Sequence, residues 1–112
     1  MNYTLKFRQV DKKSFDDIKS GAKSVETRAN SSKYQSIQVG DTLTFSCGGE
    51  KFSKTVTKKY LWKSIDQMVK EISFKKIMPD VASVEEMKKI YSSYPNYDAK
   101  IREFGLVGFK MA

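Results

Sequence analysis

Lys23, Glu26 and Arg28 stand close together in the run Gly21-Ala22-Lys23-Ser24-Val25-Glu26-Thr27-Arg28. An ammonium, a carboxylate and a guanidinium at this spacing can hold an anionic phosphate, or grip a planar acceptor edge through the forked N–H donors of arginine. The segment also offers a reactive set, with Ser24 as a hydroxyl nucleophile and Lys23 or Glu26 as the base that activates it. For these side chains to cooperate the backbone must be extended. Alternation along a strand puts Ser24, Glu26 and Arg28 on one face and Val25 and Thr27 on the other. With Val25 packed inward, acid and guanidinium share the opposite face and Lys23 marks the start of the strand. The same residues could instead form a cross-sheet ion pair, Glu26 with Arg28, whose role is to fix the sheet.

Composition removes several chemistries. The 112 residues include no histidine and one cysteine, so there is no imidazole base, no histidine-based triad and no Cys/His zinc site. Cys47 alternates with Leu43 and Phe45 and reads as an inert core thiol, unable to form an intramolecular disulfide. Asp80, Glu85 and Glu86 read as acids near a helix start rather than as a ligand set; neither a metal nor a cofactor is expected. The formal charge of +8 attracts polyanions, nucleic acid above all. Lysines spread along a chain can equally serve solubility. The early residues lack the apolar run of a signal peptide or membrane span, so no membrane partner and a cytoplasmic location are expected. The length suits one domain, residues 1–112, long enough to bury a core and expected to act as a monomer.

The elements that must position the charged run follow from periodicity. Tyr3, Leu5 and Phe7 alternate with polar residues as in a half-buried strand. Ser14 to Ser20 reads as a short helix closed by Gly21, and Asn30 to Ser36 as a polar loop. Thr42 to Cys47 alternates again, and Gly48-Gly49-Glu50 turns the chain into a strand over Lys51 to Leu61. In that strand Phe52, Val56 and Tyr60 share their phase with Lys54 and Lys58, which requires a bulge or an edge position. Its lysines would be a solvated edge or a nucleic-acid contact stripe. Ser64 and Ser83 each begin a capping signature ahead of an apolar stripe at helical spacing, the first helix running to Glu71. Ser92-Ser93-Tyr94-Pro95-Asn96 reads as a turn, Ala99 to Phe104 as a helical piece and Leu106 to Met111 as a closing strand. Strands at both ends, a hairpin in the middle and helices between them predict an α+β fold, a small mixed barrel of about five strands with short helices around it.

The run Phe15-x-x-Ile18-x-x-Gly21-x-Lys23-x-Val25-Glu26-x-Arg28, followed by Ile37-x-Val39-Gly40-Asp41-x-Leu43-x-Phe45, resembles the ASCH domain. Glu86 to Tyr91 and Gly105-Leu106-Val107-Gly108-Phe109 are similar to the same family's helical segment and final strand, so the resemblance spans essentially the whole chain. It implies a PUA-like β-barrel that handles RNA, with the charged motif gathered in a cleft beside the barrel. One bacterial branch of the family hydrolyses the amide of N-acetylated cytidine with a lysine, a threonine and a glutamate. The lysine maps onto Lys23, the threonine onto the position held by Glu26, and the glutamate only loosely onto the region of Asp80.

Two functions from different classes follow. The first is a binding module for RNA or a nucleotide, its ligand held by Lys23, Glu26 and Arg28, with Arg8 and Lys33 as further cations. Trp62 stands as the ligand-binding aromatic, and Tyr34 and Tyr60 as further candidates to stack a base. The second is an amidohydrolase acting on N-acetylated cytidine or a related modified nucleoside, with Lys23, Ser24 and Glu26 as the catalytic set. A third, a protein adaptor without a small ligand, would leave the charged run as structure.

Overall fold

The computed structural model describes residues 1–112. Strand β1, Asn2–Phe7, leads through a 3-10 turn at Gln9–Asp11 into helix α1, Lys12–Ser20. The helix starts earlier than its apolar spacing alone indicates and stops at Gly21, whose φ of 90° suits the left-handed closing conformation. β2, Val25–Ala29, carries Glu26 and Arg28, and α2, Ser32–Gln35, is a single turn within the segment expected to be only loop. β3, Thr42–Cys47, and β4, Glu50–Trp62, form the hairpin. Three further helices follow: α3, Ile65–Glu71, α4, Val84–Ser93, and α5, Tyr97–Phe104, before the closing strand β5, Leu106–Met111. Ser64 and Ser83 cap α3 and α4 by accepting the N–H of Gln67 and Glu86.

The five strands make one mixed sheet in the order β1-β3-β4-β5-β2. Only the β1–β3 pair is parallel. β4 is interior rather than an edge: its first half pairs with β3 and its second with β5. A register shift between Val56 and Lys58 marks the change. That bulge resolves the phase conflict of the lysines, because a bulged strand bends and twists, and here the bend curls the sheet into a barrel-like form.

Curling divides the apolar residues into two clusters. Leu5, Phe15, Ile18, Ile37, Leu43, Phe45, Cys47, Val56, Val107 and Phe109 pack inside the curl. The second cluster puts Met68, Ile77, Met87, Tyr91 and Ile101 from the helical half against Val25, Tyr60, Trp62 and Leu106 of the outer sheet face. β5 alternates between the two. Gly108 is fixed by this arrangement, since a Cβ there would lie 2.7 Å from the Trp62 ring. The most distant strands in the order, β1 and β2, are left as the two borders of the open side.

Candidate functional site

β1 and β2 do not pair, so the open side of the curl is bordered by the end of one strand and the edge of the other. A cleft of about 400 Å³ occupies it, within the range of small-molecule sites. Its lining comes from the end of β1 and the residues just after it, from Lys23 and β2, and from the end of α4 through the start of α5. Because β2 is an edge strand, Glu26, Thr27 and Arg28 all line the cleft despite alternating direction.

At its floor Lys23 and Glu26 are buried and Arg28 is half-buried. Lys23 and Glu26 have side chains 9% and 4% exposed, and Lys23 Nζ lies 3.4 Å from Glu26 Oε1. Arg28 Nη2 lies 3.5 Å from Glu26 Oε2. Oε1 also accepts the Thr27 backbone N–H at 2.9 Å, whereas Oε2 has no hydrogen-bond donor. Burial alone pushes the Glu26 carboxyl up, but Lys23, Arg28 and the Thr27 amide together outweigh it and hold the pKa below the ordinary value. Burial likewise acts to lower Arg28, and the Glu26 charge overcomes it, so the guanidinium is held more firmly protonated. Two rings lie within cation–π distance of it, Phe7 at 5.5 Å and Tyr34 at 5.6 Å. Nη1 also donates to the Tyr34 hydroxyl at 3.4 Å.

The wall facing β1 is tyrosine. Tyr91, Tyr94 and Tyr97 line the cleft with Pro95 among them. Tyr94 stands edge-on to both neighbours. The Tyr97 hydroxyl accepts the Ala29 N–H at 3.0 Å, tying α5 to β2. Tyr91 is hydrogen-bonded through its hydroxyl to that of Thr27. Burial raises the phenol pKa of all three. The rim carries Lys6, Arg8 and Lys100. Arg8 is engaged with Asp11 at 2.9 Å, whereas Lys6 and Lys100 take part in none of the ion pairs.

Of the residues expected from the sequence, Lys23, Glu26, Arg28 and Arg8 therefore meet in one cleft. Four others do not. Ser24 precedes β2 and is absent from the lining; its backbone is committed on both sides, N–H to Lys76 and C=O to Met111. Lys33 projects from exposed α2 with its ammonium 5.5 Å from the Tyr34 ring. Trp62 is 3% exposed, stacked on Tyr60 at 5.1 Å and donating from Nε1 to Glu71 at 2.7 Å, so both of these rings belong to the second core cluster. Asp80 is exposed and paired with Lys13 at 3.0 Å. Tyr34 is absent from the lining and acts through Arg28. The tyrosine wall and the two free rim lysines are the additions that the structure makes. Tyrosines spaced by three at 91, 94 and 97 are the signal for the wall, obscured because Tyr91 also completes the apolar stripe of α4.

Among the residues there is no group of three or more Cys, Asp or Glu placed to hold a metal ion, and no helix is long and apolar enough to cross a membrane. No family model matches the chain, and neither does any curated protein. Its fold is shared with solved structures. The crystal structure of the hypothetical protein PH0355 is 23% identical, with a TM-score of 0.86 over 99% of this chain and 97% of that one. The solution NMR structure of protein PF0455 from Pyrococcus furiosus is 22% identical, with a TM-score of 0.79 over 99% and 96%. At those identities the likeness speaks for the fold alone: an α+β chain whose mixed five-stranded sheet curls into a barrel-like form.

Proposed function

We propose that this chain is an RNA- or nucleotide-binding domain of the ASCH, PUA-like type, with its ligand seated in the cleft between β1 and β2. The observation that carries the reading is the row of buried Lys23 and Glu26 with half-buried Arg28 in a cleft walled by tyrosines. Each part answers a part of a nucleotide. The polar floor offers donors and an acceptor to a base edge, and the aromatic wall offers a face for stacking. Lys6 and Lys100 at the rim have no acidic partner and can meet a phosphate. The net charge of +8 adds salt-dependent attraction for a longer strand.

The test is anisotropy titration with a short labelled single-stranded RNA at two salt concentrations. Binding at low salt should weaken as salt rises, by roughly 0.7 in the log–log slope for each phosphate contacted. No binding even at low ionic strength would rule the reading out.

One observation favours a second reading, an amidohydrolase acting on N-acetylated cytidine or a related modified nucleoside. Lys23 and Glu26 share the cleft with a side-chain hydroxyl, that of Thr27 rather than Ser24. Release of cytidine from the acetylated nucleoside, above the level given by Lys23→Ala, would establish it; equal rates would remove it.

A further inference from the structure

Resting on the nucleotide-binding reading above, we infer that the cleft selects uracil through its imide edge. Two side-chain atoms in the protein are buried and lack any hydrogen-bond partner, and one of them, Glu26 Oε2, belongs to a residue that lines the cleft. Leaving a buried acceptor unpaired is costly, and native structures rarely do so without a use for it. The flanking cations do not satisfy it. Lys23 Nζ at 3.4 Å from Oε1 and Arg28 Nη2 at 3.5 Å from Oε2 are both beyond the length of a charge-assisted hydrogen bond, about 2.7–2.9 Å. Each cation therefore keeps N–H donors for another acceptor. Followed along these contacts, from Lys23 through Glu26 to Arg28, the order is donor, acceptor, donor.

The complementary edge reads acceptor, donor, acceptor. Uracil presents that order in its two carbonyl oxygens with the ring N3–H between them. O4 and O2 would take N–H bonds from Lys23 and Arg28, in either sense, while N3–H would give the orphaned carboxylate oxygen its donor. The other common bases mismatch. Cytosine turns an unprotonated ring nitrogen toward Glu26 and an amine toward one cation. Guanine sets two donors side by side, so one faces a cation. Adenine combines an amine with an unprotonated ring nitrogen. A buried carboxylate facing a lone pair, or a cation facing an N–H, leaves both groups unpaired, and that penalty is the basis of the selection.

The experiment is calorimetric titration of the intact protein with UMP, CMP, AMP, GMP and N3-methylated UMP. UMP should bind about tenfold or more tightly than CMP, as expected for one well-made base contact. N3-methylation, which removes the donor and leaves both carbonyls, should abolish the preference. CMP, AMP or GMP binding as tightly as UMP, or N3-methylated UMP binding undiminished, overturns the base assignment while leaving the cleft a nucleotide site. Failure of all five to bind also overturns the assignment. Combined with a negative RNA titration at low salt, it removes the nucleotide-binding reading as well.

Discussion

Arg28 and Phe7 meet across the gap in the sheet. The guanidinium of one border strand lies 5.5 Å from the ring of the other, although β1 and β2 share no ladder. A side chain does here what backbone hydrogen bonds do elsewhere in the curl. Arg28 is thus both a wall of the site and a tie between sheet borders.

Replacing Arg28 separates its charge from its shape. Arg28→Lys keeps a cation near Glu26 but loses the planar group that meets the Phe7 and Tyr34 rings, which should cost about 1 kcal/mol of stability. Arg28→Met removes the charge too, leaving Glu26 buried with Lys23 as its remaining cation, and should cost about 3 kcal/mol. Urea denaturation of the three proteins checks the order. If the methionine variant is as stable as the lysine variant, the ion pair contributes nothing and the rings carry the tie alone.

Glu26 should give the fold an acid-sensitive component. Its folded pKa lies below the ordinary 4.5, because Lys23 and Arg28 overcome the effect of burial. A depressed carboxylate adds stability that is present above the unfolded value and is lost as pH falls through the folded one. The stability advantage of the native protein over Glu26→Gln should therefore be constant from about pH 6 to 8 and shrink as the pH drops below about 4.5. Denaturation midpoints of both proteins across that range decide it. An advantage that grows on acidification would mean that the folded pKa lies above the unfolded one, against the expected direction.

How far the sequence reveals this site depends on the range of the interactions involved. Lys23, Glu26 and Arg28 are neighbours in the chain, and strand alternation alone aligns the last two. The hairpin between Cys47 and Glu50 and the caps at Ser64 and Ser83 are equally local, and all three form as expected. The tyrosine wall is not local. Tyr91 and Thr27 are 64 residues apart, and only the packing of α4 and α5 on β2 brings them together. Trp62 shows the converse. An aromatic beside lysines suggests a stacking platform, but the absence of a side chain at Gly108 opens a slot for its ring, and Glu71 on α3 takes its N–H. A burial decided by a glycine on another strand leaves no periodic trace. Ser24 fails for a local reason: the strand begins one residue later, at Val25.

Tyr94 and Trp62 offer a direct comparison of the two aromatic assignments. Tyr94 is half-buried on the cleft wall, anchored by ring contacts and free of any hydrogen bond from its hydroxyl to the core. Tyr94→Ala should weaken binding of RNA or nucleotide about tenfold, since stacking of one base on one aromatic is worth about 1–3 kcal/mol. Trp62→Phe should instead lower stability by about 1–2 kcal/mol, because the smaller ring underfills the slot over Gly108 and leaves Glu71 without its indole donor. Its affinity should stay within about twofold of the native protein, as the ring is remote from the cleft lining. Titration and urea denaturation of both variants separate the effects. Loss of binding in Trp62→Phe at native stability would move the site to the other face of the sheet, where Lys58 lies 4.8 Å from Tyr60.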